Sequence, residues 1–367
     1  MGAVEKVVRR KVVMRKNNIF KFVSICVVFI GAIFLTIKNS TYIFNKGIHY
    51  IAGNRGNISE KKANKLEEQL LSNPGDLNVR EKLLKYYFRH SKSESSRKKK
   101  QEHVRWLINN HPESEIAGHP YAELNPILDK SAYSDAKQLW LKQVESNKSN
   151  VKILMNAVNF FTLFDKDLCI KILKDVQRIT PNDDEAYRKL GHIYSLEIRS
   201  SHGKSRKKIA KQALDEYEKA MKLTDNNFKR SFVLTEVAKV AFESGEYDKA
   251  ELFALELLSN KHNWDLGEAV HHGNLILGRI ELKRGEVEKA KEYLINAGKT
   301  KGSASLNSFG PNMALAKELL DKGEQEVVLE YFKLCSKFWY DRRGKLKEWS
   351  KEIKSGKLPD FGANLYY

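Results

Sequence analysis

Cysteine is scarce, with three in 367 residues, at positions 26, 169 and 335. They are too few and too far apart for a disulfide framework or a thiolate zinc site. Seven prolines and 21 glycines exclude a collagen-like chain and argue against β-structure punctuated by tight turns. No Walker loop, Gly-x-Ser-x-Gly elbow, His-Glu-x-x-His or Rossmann glycine pattern occurs, and no carboxylate pair is set in an apolar context. The sequence therefore predicts no catalytic residue, no cofactor and no metal, and it does not read as an enzyme. A hydrophobic content of 41% is enough for a real core and excludes wholesale disorder, so the expected class is all-α.

The formal charge is +19, and its placement says more than its size. Up to residue 38, eight basic groups (Lys6, Arg9, Arg10, Lys11, Arg15, Lys16, Lys21 and Lys38) face Glu5 alone. Between Lys21 and Lys38 runs FVSICVVFIGAIFLTI, without a charge. At about 1.5 Å per residue this helix covers about 24 Å, and snorkelling lysines with flanking aromatics extend it toward the roughly 30 Å hydrocarbon layer. A single transmembrane helix over 19–38 is expected, retained rather than cleaved, because no small-x-small site follows the run. The basic leader places the N-terminus in the cytoplasm and the rest outside it, in a bacterial envelope or a eukaryotic lumen. That topology makes nucleic acid an improbable partner despite the positive charge. Two dense basic runs, Arg97–Lys100 and Lys204–Lys208, read as loops, either solvated insertions or contacts for an anionic polymer or lipid.

From Lys62 to Trp349 apolar residues recur three and four apart, joined by short Asn, Gly and Pro signals. Tyr187, Leu190, Gly191 and Tyr194 have counterparts at Ile153, Asn156, Ala157 and Phe160 about 34 residues earlier. Ala213, Tyr217 and Ala220 follow, after an insertion. A further unit carries Leu234, Ala238, Gly245, Ala250 and Ala254, with the turn SGEYDKA; another carries Leu277, Gly278, Gly285, Ala290 and Ala297, with RGEVEKA. This pattern resembles the tetratricopeptide repeat, a helix-turn-helix of about 34 residues with small side chains where paired helices meet. The resemblance is strong from 150 to 335 and looser back to 75. It implies a right-handed α-solenoid of such helix pairs whose groove takes a protein or peptide partner. The stretch from GEAVHHGN to GANLYY also resembles the ending of uncharacterised bacterial repeat proteins, which implies no activity. In the repeat register Cys169 and Cys335 fall in slots for small apolar side chains and read as core.

The expected organisation is a leader (1–18), the spanning helix (19–38), a juxtamembrane linker (39–60), divergent helical repeats (61–130), the repeat array (131–340), and a closing helix with an aromatic tail (341–367). The least repeat-like stretch, KTKGSASLNSFGPNM at 299–313, reads as a Ser/Gly/Asn-rich loop. Asn307, Phe309, Gly310 and Asn312 are its candidate binding residues, and closure of the array is its alternative role. The tail LPDFGANLYY reads as docked in the groove or capping the last pair, or else as a free recognition segment. His262, His271 and His272 form a conceivable metal site, weighed against helix-start polar contacts, since consecutive helical histidines point about 100 degrees apart. The function expected from all this is a membrane-anchored scaffold or assembly factor. An anionic-polymer binder and a His-dependent metalloenzyme stand as alternatives.

Overall fold

The computed structural model describes residues 58–224, 227–259 and 266–366. Among these the fold is all-α, with sixteen α-helices, three short 3-10 turns and no strand. The leader, the expected spanning helix and nearly all of the linker lie outside the described residues. No described helix is long and apolar enough to cross a membrane. The chain gathers into two compact units that divide after Pro181.

The first unit contains α1 (Glu60–Ser72), α2 (Leu77–Arg89), α3 (Glu94–Asn110), 3-10 turns at Glu115–Gly118 and Pro120–Ala122, α4 (Lys130–Ser146), α5 (Val151–Phe161) and α6 (Lys166–Ile179). Helix starts are fixed by side-chain caps: Ser59, Asp76, Asn150 and Asp165 each accept a first-turn N–H. Inside, Arg80 donates to His103 Nδ1 at 2.9 Å, His103 Nε2 donates to Glu67 at 3.0 Å, and Tyr87 donates to the same carboxylate at 2.6 Å. This chain satisfies both ring nitrogens of buried His103, whereas Arg80 Nε is buried with no hydrogen-bond partner.

The basic run Arg97–Lys100 is helical, within α3, and not a loop. No Pro or Gly interrupts it, and neighbouring acids compensate it: Lys98 pairs with Glu94 at 3.0 Å, Lys99 with Glu102 at 3.3 Å and Arg97 with Asp129 at 3.6 Å. Lys100 is buried and donates to the Glu123 carbonyl. Much of this charge is therefore engaged within the unit.

The second unit contains α7 (Asp184–Ile198), α8 (Gly203–Leu223), α9 (Asn227–Ser244), α10 (Tyr247–Ser259), α11 (Leu266–Arg284), α12 (Val287–Gly298), α13 (Ala304–Phe309), α14 (Ala314–Leu320), α15 (Gln325–Cys335), α16 (Lys345–Lys354) and a 3-10 turn at Gly362–Leu365. Each helix from α7 to α12 packs on the next, and α7, α9, α11 and α14 also touch in sequence, forming one row. The run Lys204–Lys208 is likewise helical, in α8. Arg206 turns inward, while Lys204, Lys207 and Lys208 are exposed.

Small side chains sit at the closest helix approaches. Ala213, Ala250 and Ala290 are each 0% exposed, and Ala220 is 1%. A Cβ on Gly191 would sit 2.8 Å from the Tyr217 ring, and one on Gly278 would collide with Leu315. Leu190, Tyr194, Tyr217 and Leu277 are buried around these contacts, while Tyr187 is partly buried under the Lys219 ammonium. Cys169 and Cys335 are fully buried, and burial pushes the Cys335 thiol up, which keeps it protonated.

The turns after α9, α11 and α14 share one geometry. Gly245, Gly285 and Gly323 adopt φ of 82°, 87° and 88°, and the following glutamate N–H returns to the carbonyl five residues back. This is the left-handed glycine stop with its six-to-one hydrogen bond.

Residues 299–313 are not one loop. Ser303 caps the short helix α13 by accepting from Leu306 N–H, and Leu306 is buried. The 358–366 segment is docked, not free. Phe361 is 1% exposed, edge-on to Trp349 with centroids 5.0 Å apart.

Candidate functional site

Helical periodicity lines up a second set of residues along the row α7, α9 and α11, some of them buried and some partly exposed. Ser195, Ile198 and Arg199 come from the end of α7. Glu236, Lys239, Val240 and Glu243 come from α9, and His272, Leu275, Ile276 and Arg279 from α11. On α9 and α11 the spacing is i, i+3, i+4, i+7, which is one helix face. Together with Arg206, Phe242, Asn312, Leu365 and Tyr366 they line a cleft whose empty space, open mouth included, is about 720 Å³.

Its charges are arranged as a chain. Arg206 Nε donates to Glu243 at 2.7 Å, and Arg279 donates to the other Glu243 oxygen at 3.2 Å. Arg279 also forks onto Glu318 at 2.7 to 3.1 Å and lies over the Phe242 ring at 4.1 Å. Lys239 meets Glu236 at 3.2 Å. Burial alone would raise the Glu236 carboxyl, but Lys239 and the neighbouring cations outweigh it and hold it at about 2. Burial likewise works against Glu243, and Arg206 and Arg279 bring it below the usual carboxylate range. The exposed Arg199 guanidinium makes no ion pair among the described residues.

The histidines are committed elsewhere. His271 is fully buried; its Nδ1–H donates to the Ala297 carbonyl at 3.2 Å and its Nε2 accepts from Asn312 N–H at 3.0 Å. Both ring nitrogens are thereby used, and burial beside His272 holds the ring's pKa at about 3. His272 Nε2 donates to Glu268 at 3.0 Å, and Ser303 Oγ donates to the other Glu268 oxygen at 2.6 Å. Burial opposes ionisation of Glu268, yet these two hydrogen bonds keep it at about 2. His262 lies outside the described residues, and no group of three potential metal ligands occurs among those described. Ser195 Oγ donates to the Gly191 carbonyl at 3.0 Å, within its own helix, and lies 3.4 Å from Tyr217 Oη.

Of the four loop residues singled out in the sequence, only Asn312 reaches the cleft. Asn307 lies on α13, where its carbonyl accepts from Tyr340 N–H at 2.9 Å. Gly310 is packed against Trp339 at φ 95°, and the carbonyl of Phe309 accepts from Asn364. These three hold the end of the unit together. Apart from His272, the cleft residues on α9 and α11 were missed, although their i, i+3, i+4, i+7 spacing is present in the sequence. Compared with known proteins, the chain matches no protein-family model and no curated protein.

Proposed function

We propose that this protein is a non-enzymatic, tetratricopeptide-like scaffold or assembly factor, a right-handed α-solenoid tethered by the 19–38 helix, whose cleft binds an extended peptide or helix of a protein partner. The observation that carries the reading is the cleft itself. Three successive first helices of helix pairs line it with Arg199, Glu236, Lys239, Glu243 and Arg279, over a floor of buried Val240, Leu275 and Ile276. Such a surface offers fixed charged and hydrogen-bonding groups along a line, which suits the main chain and polar side chains of an extended segment. The small residues at the helix crossings and the three like turns support the repeat reading. The hydrogen bonds already held by His271 and His272 are consistent with the non-enzymatic reading.

Photo-crosslinking in intact cells tests this. A photoreactive residue replaces Ser195 or Ile276 in the cleft, and Leu252, 67% exposed on α10, serves as control. The expected result is one shared adduct from both cleft positions that the control does not give. Identical adducts from all three sites, or none from the cleft, would sink the proposal.

A further inference from the structure

The 358–366 segment meets the rest of the second unit as a ligand meets its site. Its approach is loose: residues 354–358 are exposed, Gly356 turns at φ 77°, and the backbone N–H groups of Ser355, Gly356 and Lys357 bond only to the last turn of α16. Its far end is held tightly. Asn364, 3% exposed, donates through Nδ2 to the carbonyls of Phe309 at 3.2 Å and Pro311 at 3.0 Å. Its own carbonyl accepts from Met313 N–H at 2.7 Å. Trp349 Nε1 donates to the Asp360 carbonyl at 3.2 Å while Phe361 fills the space beside the Trp349 ring.

The seat has anchors of its own. Asn312 N–H is held by buried His271, and the Asn312 carbonyl accepts from Tyr331 Oη at 3.0 Å. Neither contact involves the segment. Beyond the seat, Leu365 and the 41% exposed Tyr366 form one wall of the cleft.

We infer that residues 358–366 are a displaceable resident peptide: they occupy a preformed docking site for an extended segment with a buried aromatic ring followed three residues later by asparagine, and they close one end of the cleft while seated. The recognition is spread over one ring, one side-chain amide and main-chain hydrogen bonds, the contact set by which a separate peptide is read. A rival segment of the same chemistry would open the cleft by taking this seat, a property that goes beyond partner binding by the cleft.

The test uses the full chain with a site-specific protease sequence inserted after Gly356, cut after folding. A fluorescently labelled, end-capped peptide of residues 358–366 is then added and followed by anisotropy. The expected result is saturable uptake by the cut protein, little by the uncut chain, and affinity roughly tenfold or more weaker for the Asn364→Ala peptide, which loses two buried hydrogen bonds. Circular dichroism of the cut protein should match the uncut. Loss of helical signal on cutting, failure of excess peptide to exchange in, or equal binding of a scrambled peptide would each overturn the inference.

Discussion

Helices α5 and α7 correspond when the sequence is shifted by 34 residues, yet they treat the matching position oppositely. Where α7 presents Ser195 to the cleft, α5 has Phe161 at the corresponding position, 0% exposed, next to Val158 at 1%. The 3-10 segment after α3 packs on α5 and is tied there by side-chain amides. Asn156 donates to the Pro112 and Ser114 carbonyls at 2.8 Å each, and Asn159 to Gly118 at 3.1 Å. Asn156 and Asn159 lie well round the helix from Phe161, so the 3-10 segment is tied to a different side of α5 from the buried Phe161 face. The position shared by Phe161 and Ser195 is used once as core and once as a cleft.

The sharpest way to break this contrast is to exchange the two residues. Phe161→Ala should cost about 3 to 5 kcal/mol, measured by urea unfolding, because it empties a filled interior site. Ser195→Phe should cost less than about 1 kcal/mol, since the added ring extends toward open space. Equal costs would mean that the two faces are alike after all. Next in size is Ala290→Leu or Ala250→Leu. Each should overpack a helix crossing and lower stability by about 1 to 3 kcal/mol, and an unchanged thermal midpoint would contradict the close approach assigned to those positions. Smaller still is Arg279→Gln, which separates Glu243 from Glu318 at the partly exposed cleft wall. A loss of roughly 1 kcal/mol, shrinking as salt is added, is the expected outcome; a salt-independent loss would point to packing instead.

The pH dependence gives a further contrast, because its sign differs between the units. In the first, burial raises the Glu123 carboxyl to about 8 although Lys100 opposes the shift, and its Oε2 is buried with no hydrogen-bond partner. A raised folded pKa means that the stability contributed by this group is full below about 4.5, the unfolded value, and is lost as pH climbs through about 8. In the second unit Glu236 and Glu268, held at about 2, contribute stability above about 4.5 that is lost as pH falls toward 2. Glu123→Gln should therefore flatten the decline in melting midpoint between pH 5 and 8 (about the window those values define), and Glu236→Gln should flatten the decline below about pH 4.5. A Glu123→Gln midpoint profile parallel to that of the unaltered chain would remove the first half of this pair.

Much of the second unit was legible in the sequence because its signals are local. A glycine in S-G-E-Y or R-G-E-V needs only its neighbours to make the left-handed stop, and an alanine one turn on needs only the next helix. The basic runs misled because charge density suggests solvent. In α3 the compensation comes partly from Asp129, distant in sequence, and from burial of Lys100 under a carbonyl. The segment at 299–313 looked like a loop since Ser, Gly and Asn dominate it, yet Ser303 serves as a helix cap there. The cleft went unread for a different reason. Apolar periodicity announces a core, whereas Glu236, Lys239 and Glu243 look like any solvated face until Arg206 and Arg279 arrive from other helices.

The like glycine bends after α9, α11 and α14 have a practical corollary. With the connectors geometrically equivalent, what distinguishes one hairpin from another is written in the outward stripe of its first helix. Moving 236, 239 and 243 onto a neighbouring hairpin would leave the turn untouched but would have to bring counterparts of Arg206 and Arg279, which hold Glu243 from other helices.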